Sequence, residues 1–127
     1  MSASPPPGLF SRLAAALAAL YCAISVALGA YAAHVATELA AQRLERAALY
    51  LFLHGLAVLH FSRGADDFAH RALLTGLLLG AALFCGSLAA AALLGWPTRA
   101  APWGGGLMIA SWLFAGLVML RRNTPAH

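Results

Sequence analysis

Polar and charged positions in this chain fall in short clusters, and the clusters divide it into four long apolar runs. The clearest run, Ala72 to Leu94 (ALLTGLLLGAALFCGSLAAAALL), has no charge and is bounded by Arg71 and the Gly95-Trp96-Pro97 break. About 23 residues at about 1.5 Å of rise reach about 34 Å as a helix, enough for a hydrocarbon core of about 30 Å. The same reasoning predicts spans over about residues 9–33, 47–62, 72–94 and 104–120. Residues 1–8 (MSASPPPG) and 123–127 are expected to be tails. Between the first two spans, His34 to Arg46 mixes apolar and charged positions. Ala36, Ala40 and Leu44 are spaced by four beside Val35 and Leu39, and Glu38, Gln42 and Glu45 lie on the other side. That spacing predicts a short helix, amphipathic on the membrane surface or, as the plainer alternative, a solvated helical connector. The expected fold is an all-α integral membrane protein: a bundle of four transmembrane helices with an interfacial helix between spans one and two.

Small residues mark candidate packing faces. Gly76 and Gly80 lie four apart on the third span, with Ser87 near the same line, so close helix–helix contact is expected there, preferably within the bundle. On the first span Ala15, Ala18, Cys22, Ser25, Gly29 and Ala33 form one stripe, opposite Leu13, Leu17, Leu20, Ile24 and Tyr31. A cleaved signal peptide needs no such asymmetry, and the apolar stretch after Arg12 exceeds the usual length of one, so it is expected to remain as a span.

Composition agrees with this picture. Of 127 residues, 62% are hydrophobic and 9% charged, whereas soluble domains carry about a quarter charged residues. The basic residues are all arginine, and the net charge of +4 is scattered over chain ends and loops. This is membrane-flanking charge, not a nucleic-acid patch. Arg12, Arg63, Arg71, Arg121 and Arg122 fall on one side, and Arg43, Arg46 and Arg99 on the other. The excess puts both termini in the cytoplasm. Cys22 and Cys85 fall mid-span, where a thiol acts as a small hydrophobe.

Candidate chemistry centres on His54, in the middle of the second span, where a polar side chain normally faces the bundle interior. Tyr50 lies one turn away. Ser111 is central in the fourth span and Ser87 is about one turn outside the centre of the third. Converging, these four form an intramembrane polar cluster. His54 then either locks helix register through Tyr or Ser hydroxyls, or serves as a proton relay or ligand-binding group. Metal and haem are not expected: His54 and His60 are about 9 Å apart along the helix and about 120° around it, and only His54 is deep. Proton-coupled export of the small multidrug type needs an intramembrane carboxylate, and Glu38, Glu45, Asp66 and Asp67 all fall outside the expected spans. Gly104-Gly105-Gly106 follows a Trp at a membrane edge and fits close packing better than phosphate binding.

Several motifs, in order, resemble the domain of unknown function 423 family, small bacterial membrane proteins related to mitochondrial transmembrane protein 256. Gly29-Ala30-Tyr31-Ala32-Ala33-His34 resembles its GAxxAH signature. Leu44-Glu45-Arg46-Ala47 with Tyr50 and His54 resembles the approach to its second span. Phe84-Cys85-Gly86-Ser87-Leu88 resembles its F-S-G-S-L motif, and Pro102, Gly104-Gly105 and Ser111-Trp112 its closing pattern. Leu49, Leu53 and Cys85 depart from that pattern toward apolar side chains. The resemblance implies a four-span protein of the bacterial inner membrane and supplies no reaction. Together the residues lead to an expected function as a non-enzymatic accessory or assembly component of a membrane complex, with no cofactor. Its expected partners are the lipid bilayer, other membrane proteins or a second copy, and not nucleic acid. The alternative is a small transporter or ligand-binding protein with a polar cavity around His54.

Overall fold

The computed structural model describes residues 5–34, 36–64 and 66–122. Four helices account for most of them: α1 (Leu9–His34), α2 (Glu38–Phe61), α3 (Phe68–Leu94) and α4 (Ala101–Arg122). There is no strand among the described residues. At about 1.5 Å per residue the shortest helix, of 22 residues, reaches about 33 Å, so all four are long and apolar enough to cross a membrane. Of the expected tails, residues 1–4 and 123–127 lie outside the described residues, and Pro5–Gly8 precede α1 without helix.

The separate interfacial helix is not found. Residues from Glu38 onward belong to α2, which continues unbroken to Phe61; Val35 lies outside the described residues. The physical reason is a buried stripe that ignores the charges. Leu44, Ala47, Leu51, His54 and Val58 recur at three- and four-residue steps and are all buried, so one face crosses the expected joint without a change of phase. Gln42 to Arg46 are also good helix formers with no glycine or proline among them. Glu38 and Glu45 therefore stand on the first turns of α2, both exposed. Likewise α3 starts at Phe68 and α4 at Ala101, earlier than the apolar runs alone suggest. Pro102 is tolerated in the first turn of α4, where its missing N–H has no intrahelical partner to lose.

The α3 boundaries are chemically marked. At its start, the Asp67 carboxylate accepts a hydrogen bond from the His70 backbone N–H at 2.8 Å. At its end Gly95 takes a left-handed φ of 70°, its N–H returning to Ala91 O at 3.1 Å. Asp67→Ala is expected to lower stability by about 1 kcal/mol and Asp67→Asn by only a few tenths, read from unfolding midpoints in mild detergent. Arg71, in the first turn of α3, donates to both oxygens of Asp66 in the preceding loop at 2.9 and 3.2 Å and holds that carboxyl below its ordinary value of 3.8. The folded state thus binds this proton less readily than the unfolded chain. The pair's stabilisation is fully present above the ordinary value and is lost as pH falls from it through the lower folded-state value. A small acid-side drop in unfolding midpoint is expected, and Arg71→Gln should flatten it; an equal drop in both chains would refute this.

Helices pack mainly on their chain neighbours, α1 on α2, α2 on α3 and α3 on α4. No Cα of α1 comes within 8 Å of one in α4 among the described residues. Leu44, Val58, Leu73, Leu74 and Leu77 are the largest fully buried side chains. On α1 the buried positions are Ser11, Ala14, Ala18, Ser25 and Ala32, a line that shares only Ala18 and Ser25 with the expected stripe. Ala33 is exposed, and Cys22 and Gly29 are only half-buried. In a helix this rich in alanine, several small-residue lines are available. Gly55 of α2 selects among them, because a Cβ there would meet Cys22 Sγ at 2.7 Å and Ala18 O at 2.9 Å. The outward faces are strongly apolar: Leu13, Leu17, Leu20, Ile24 and Tyr31 on α1, and Ile109, Leu113 and Leu117 on α4, are exposed.

Candidate functional site

His54 sits on the buried stripe of α2 with 5% of its surface exposed, and both ring nitrogens are engaged. Nε2 lies 3.1 Å from the indole Nε1 of Trp112 on α4, and Nδ1 lies 2.7 Å from the backbone oxygen of Tyr50 one turn back. An indole N–H only donates, so Nε2 must accept; Tyr50 O only accepts, so Nδ1 must carry the proton. The bonding pattern therefore selects one neutral tautomer, and it uses up the imidazole. A second proton on Nε2 would face the Trp112 N–H and break the bridge.

Around this bridge the rings meet edge to face. His54 and Trp112 have centroids 5.9 Å apart at 69°, Phe61 and Trp112 6.0 Å at 61°, and Tyr50 and Phe84 5.2 Å at 74°. The Tyr50 ring, 38% exposed, stands 6.2 Å from that of His54. Tyr50 thus contributes a main-chain acceptor to His54 where its hydroxyl was expected. A second deep bridge joins α1 to α3, where the Tyr21 hydroxyl donates to Leu78 O at 2.9 Å.

The expected four-residue polar cluster is not assembled. Ser111 is buried and donates to Leu107 O at 2.8 Å in its own helix, with its oxygen packed against the Cα side of Gly76. Ser87 is half-buried and borders another cleft with Gly86, Ala90, Trp96 and Arg99. Thus neither serine is a hydrogen-bond partner of His54, and Trp112 is. A Trp next to the mid-span Ser111 was the signal in the sequence that α4 carries a donor at the right depth.

The glycines divide into two groups. Gly76 and Gly80 are buried against α4: a Cβ on Gly76 would strike the Ser111 hydroxyl, and one on Gly80 would meet Met108 Cγ at 2.8 Å and Gly104 O at 3.1 Å. Gly104 answers from the other side, where a Cβ would collide with Phe84 N and approach Gly80 O to 2.8 Å. Gly29 and Gly86 have nothing within 4 Å of the same point, and His34 is exposed at the last position of α1. Among the described residues no three of His, Cys, Asp and Glu are grouped as a metal site would need.

A family model described as protein of unknown function (DUF423) matches residues 28–105, more than half of the chain. The chain belongs to the DUF423 family. The DUF423 match starts late in α1 and ends early in α4, so it includes Tyr50, His54, Gly76, Gly80 and Gly104 but not Ser111 or Trp112. No solved structure matches the chain.

Proposed function

We propose that this DUF423 protein is a multi-pass component of the bacterial inner membrane that acts without catalysis, as an accessory or assembly factor for a larger membrane complex. The observation that carries the reading is the saturated state of His54. The histidine placed deep in a span by sequence is spent on joining α2 to α4, which is a structural use. Outward faces rich in Leu, Ile and aromatic side chains support immersion in lipid and lateral contact with other membrane proteins or a second copy. Five arginines toward the end that carries both termini, against three at the other, support cytoplasmic termini.

Two measurements test this. Carbonate-washed membranes should retain the chain, and recovery in the aqueous fraction would refute membrane residence. Extraction in mild detergent should then yield a species of defined stoichiometry with a membrane partner. A clean monomer from native membranes, with no assembly defect when the gene is deleted, would overturn the accessory role.

A further inference from the structure

At the end of the molecule where α1 begins and α2 stops, a cleft of about 720 Å³ opens between the two helices. Its wall carries Arg12, in the first turn of α1, and Arg63, just beyond the end of α2. Both are exposed, and neither side chain has a hydrogen-bond or ion-pair partner among the described residues. Of the acids nearby, Asp66 pairs with Arg71 and lies against Gly8 just ahead of α1, and Asp67 pairs with His70; neither forms an ion pair with Arg12 or Arg63.

The cleft is also lined by Ser11 and Ser62, with Pro5, Pro6 and Pro7 ahead of α1. The Ser62 hydroxyl donates to Leu59 O at 2.9 Å, as expected for a hydroxyl with little access to water. Ser11 differs. Only 4% of the residue is exposed, it borders the cleft, and its hydroxyl has no hydrogen-bond partner among the described residues. The hydroxyl oxygen is not sealed off, since no buried side-chain polar atom lacks a partner among the described residues, so this unused donor is reachable from the cleft.

We propose that this cleft binds a phosphate-bearing headgroup of net negative charge, one without a cationic group of its own to compete for the phosphate, with Arg12 and Arg63 pairing the anionic oxygens and the Ser11 hydroxyl donating a hydrogen bond. Guanidinium groups suit phosphate because their planar donors meet two of its oxygens at once. Both arginines flank the ends of long apolar helices, the depth at which a lipid phosphate lies. The lipid source therefore rests on the membrane reading above, whereas the phosphate chemistry does not.

The test uses the full chain in neutral detergent, loaded with phosphatidylglycerol or phosphatidylcholine, with retention followed by native mass spectrometry and inorganic phosphate added as a soluble probe. The expected result is preferential retention of phosphatidylglycerol by about tenfold, abolished in the double variant Arg12→Gln/Arg63→Gln. Arg12→Lys/Arg63→Lys should restore part of it, Ser11→Ala should lower it a few fold, and Arg99→Gln, at the other end, should leave it unchanged. Displacement by millimolar inorganic phosphate would assign the site to free phosphate, and persistence of the lipid would assign it to the headgroup; both support a phosphate site. Equal retention of the two lipids with no phosphate binding, or a preference that survives the double glutamine variant, would overturn it. Because binding is read in detergent and membrane residence by fractionation, either result can fail without the other.

Discussion

Gly104→Ala is expected to lower the unfolding midpoint clearly, while Gly106→Ala, two positions on, leaves it unchanged or raises it. The three glycines are consecutive and lie in the same helix, so propensity treats them alike: replacing each by alanine favours helix by about 0.5–1 kcal/mol. Packing separates them. A methyl group on Gly104 meets backbone atoms of α3, at Phe84 N and Gly80 O, and main chain cannot swing aside as a side chain can. A methyl on Gly105 would stand at 3.7 Å from the Phe84 ring, ordinary contact, and one on Gly106 would meet nothing within 4 Å. Forcing an extra carbon into such a contact costs about 1–3 kcal/mol, so Gly104→Ala should show a net loss despite its helix propensity. Denaturant or thermal unfolding in one detergent, with all three variants side by side, gives the comparison. Equal midpoints would mean that α3 and α4 do not approach as closely as described.

The second large effect is at His54. His54→Ala removes the acceptor of the Trp112 N–H and leaves an imidazole-sized space among packed rings, and a loss of about 2–4 kcal/mol is expected. Trp112→Phe keeps an aromatic ring but no donor, and about 1 kcal/mol is expected. His54→Phe with Trp112→Phe closes a double-mutant cycle, in which the coupling should be about 0.6–1.7 kcal/mol, the range found for side-chain hydrogen bonds between membrane helices. The outcome also bears on function. If His54→Ala keeps full stability and abolishes an uptake or binding activity, the histidine is a ligand group and the assembly reading fails at its main support.

Much of the fold could be read from hydropathy because the four helices are long and their apolar runs are separated by Arg, Asp, Gly and Pro. The extent of α2 could not. Arg43, Glu45 and Arg46 look like the end of a span when counted as charges, yet Leu44 and Ala47 show that the buried stripe passes straight through them. Charge density reports what surrounds a helix, whereas continuity follows from backbone propensity and the phase of one face. The candidate site was legible to the same degree. His54 stood out by depth, and Gly76 and Gly80 by spacing, since both signals lie within one helix. Its partner did not, because the relative rotation of α2 and α4 depends on how both pack on α3. That rotation turns Trp112 toward His54 and leaves Ser111 against Gly76.

Because each helix packs chiefly on the one before it, docking can proceed in the order of synthesis, with little loop-closure entropy at each stage. Two bonds skip a helix: the Tyr21 hydroxyl reaches Leu78 O in the third, and the imidazole in the second has an indole partner 58 residues later. Until the last helix arrives, that ring has one nitrogen without its mate, and the nascent three-helix form is recognisably unfinished. Docking of α4 and closure of this latch are then the same event.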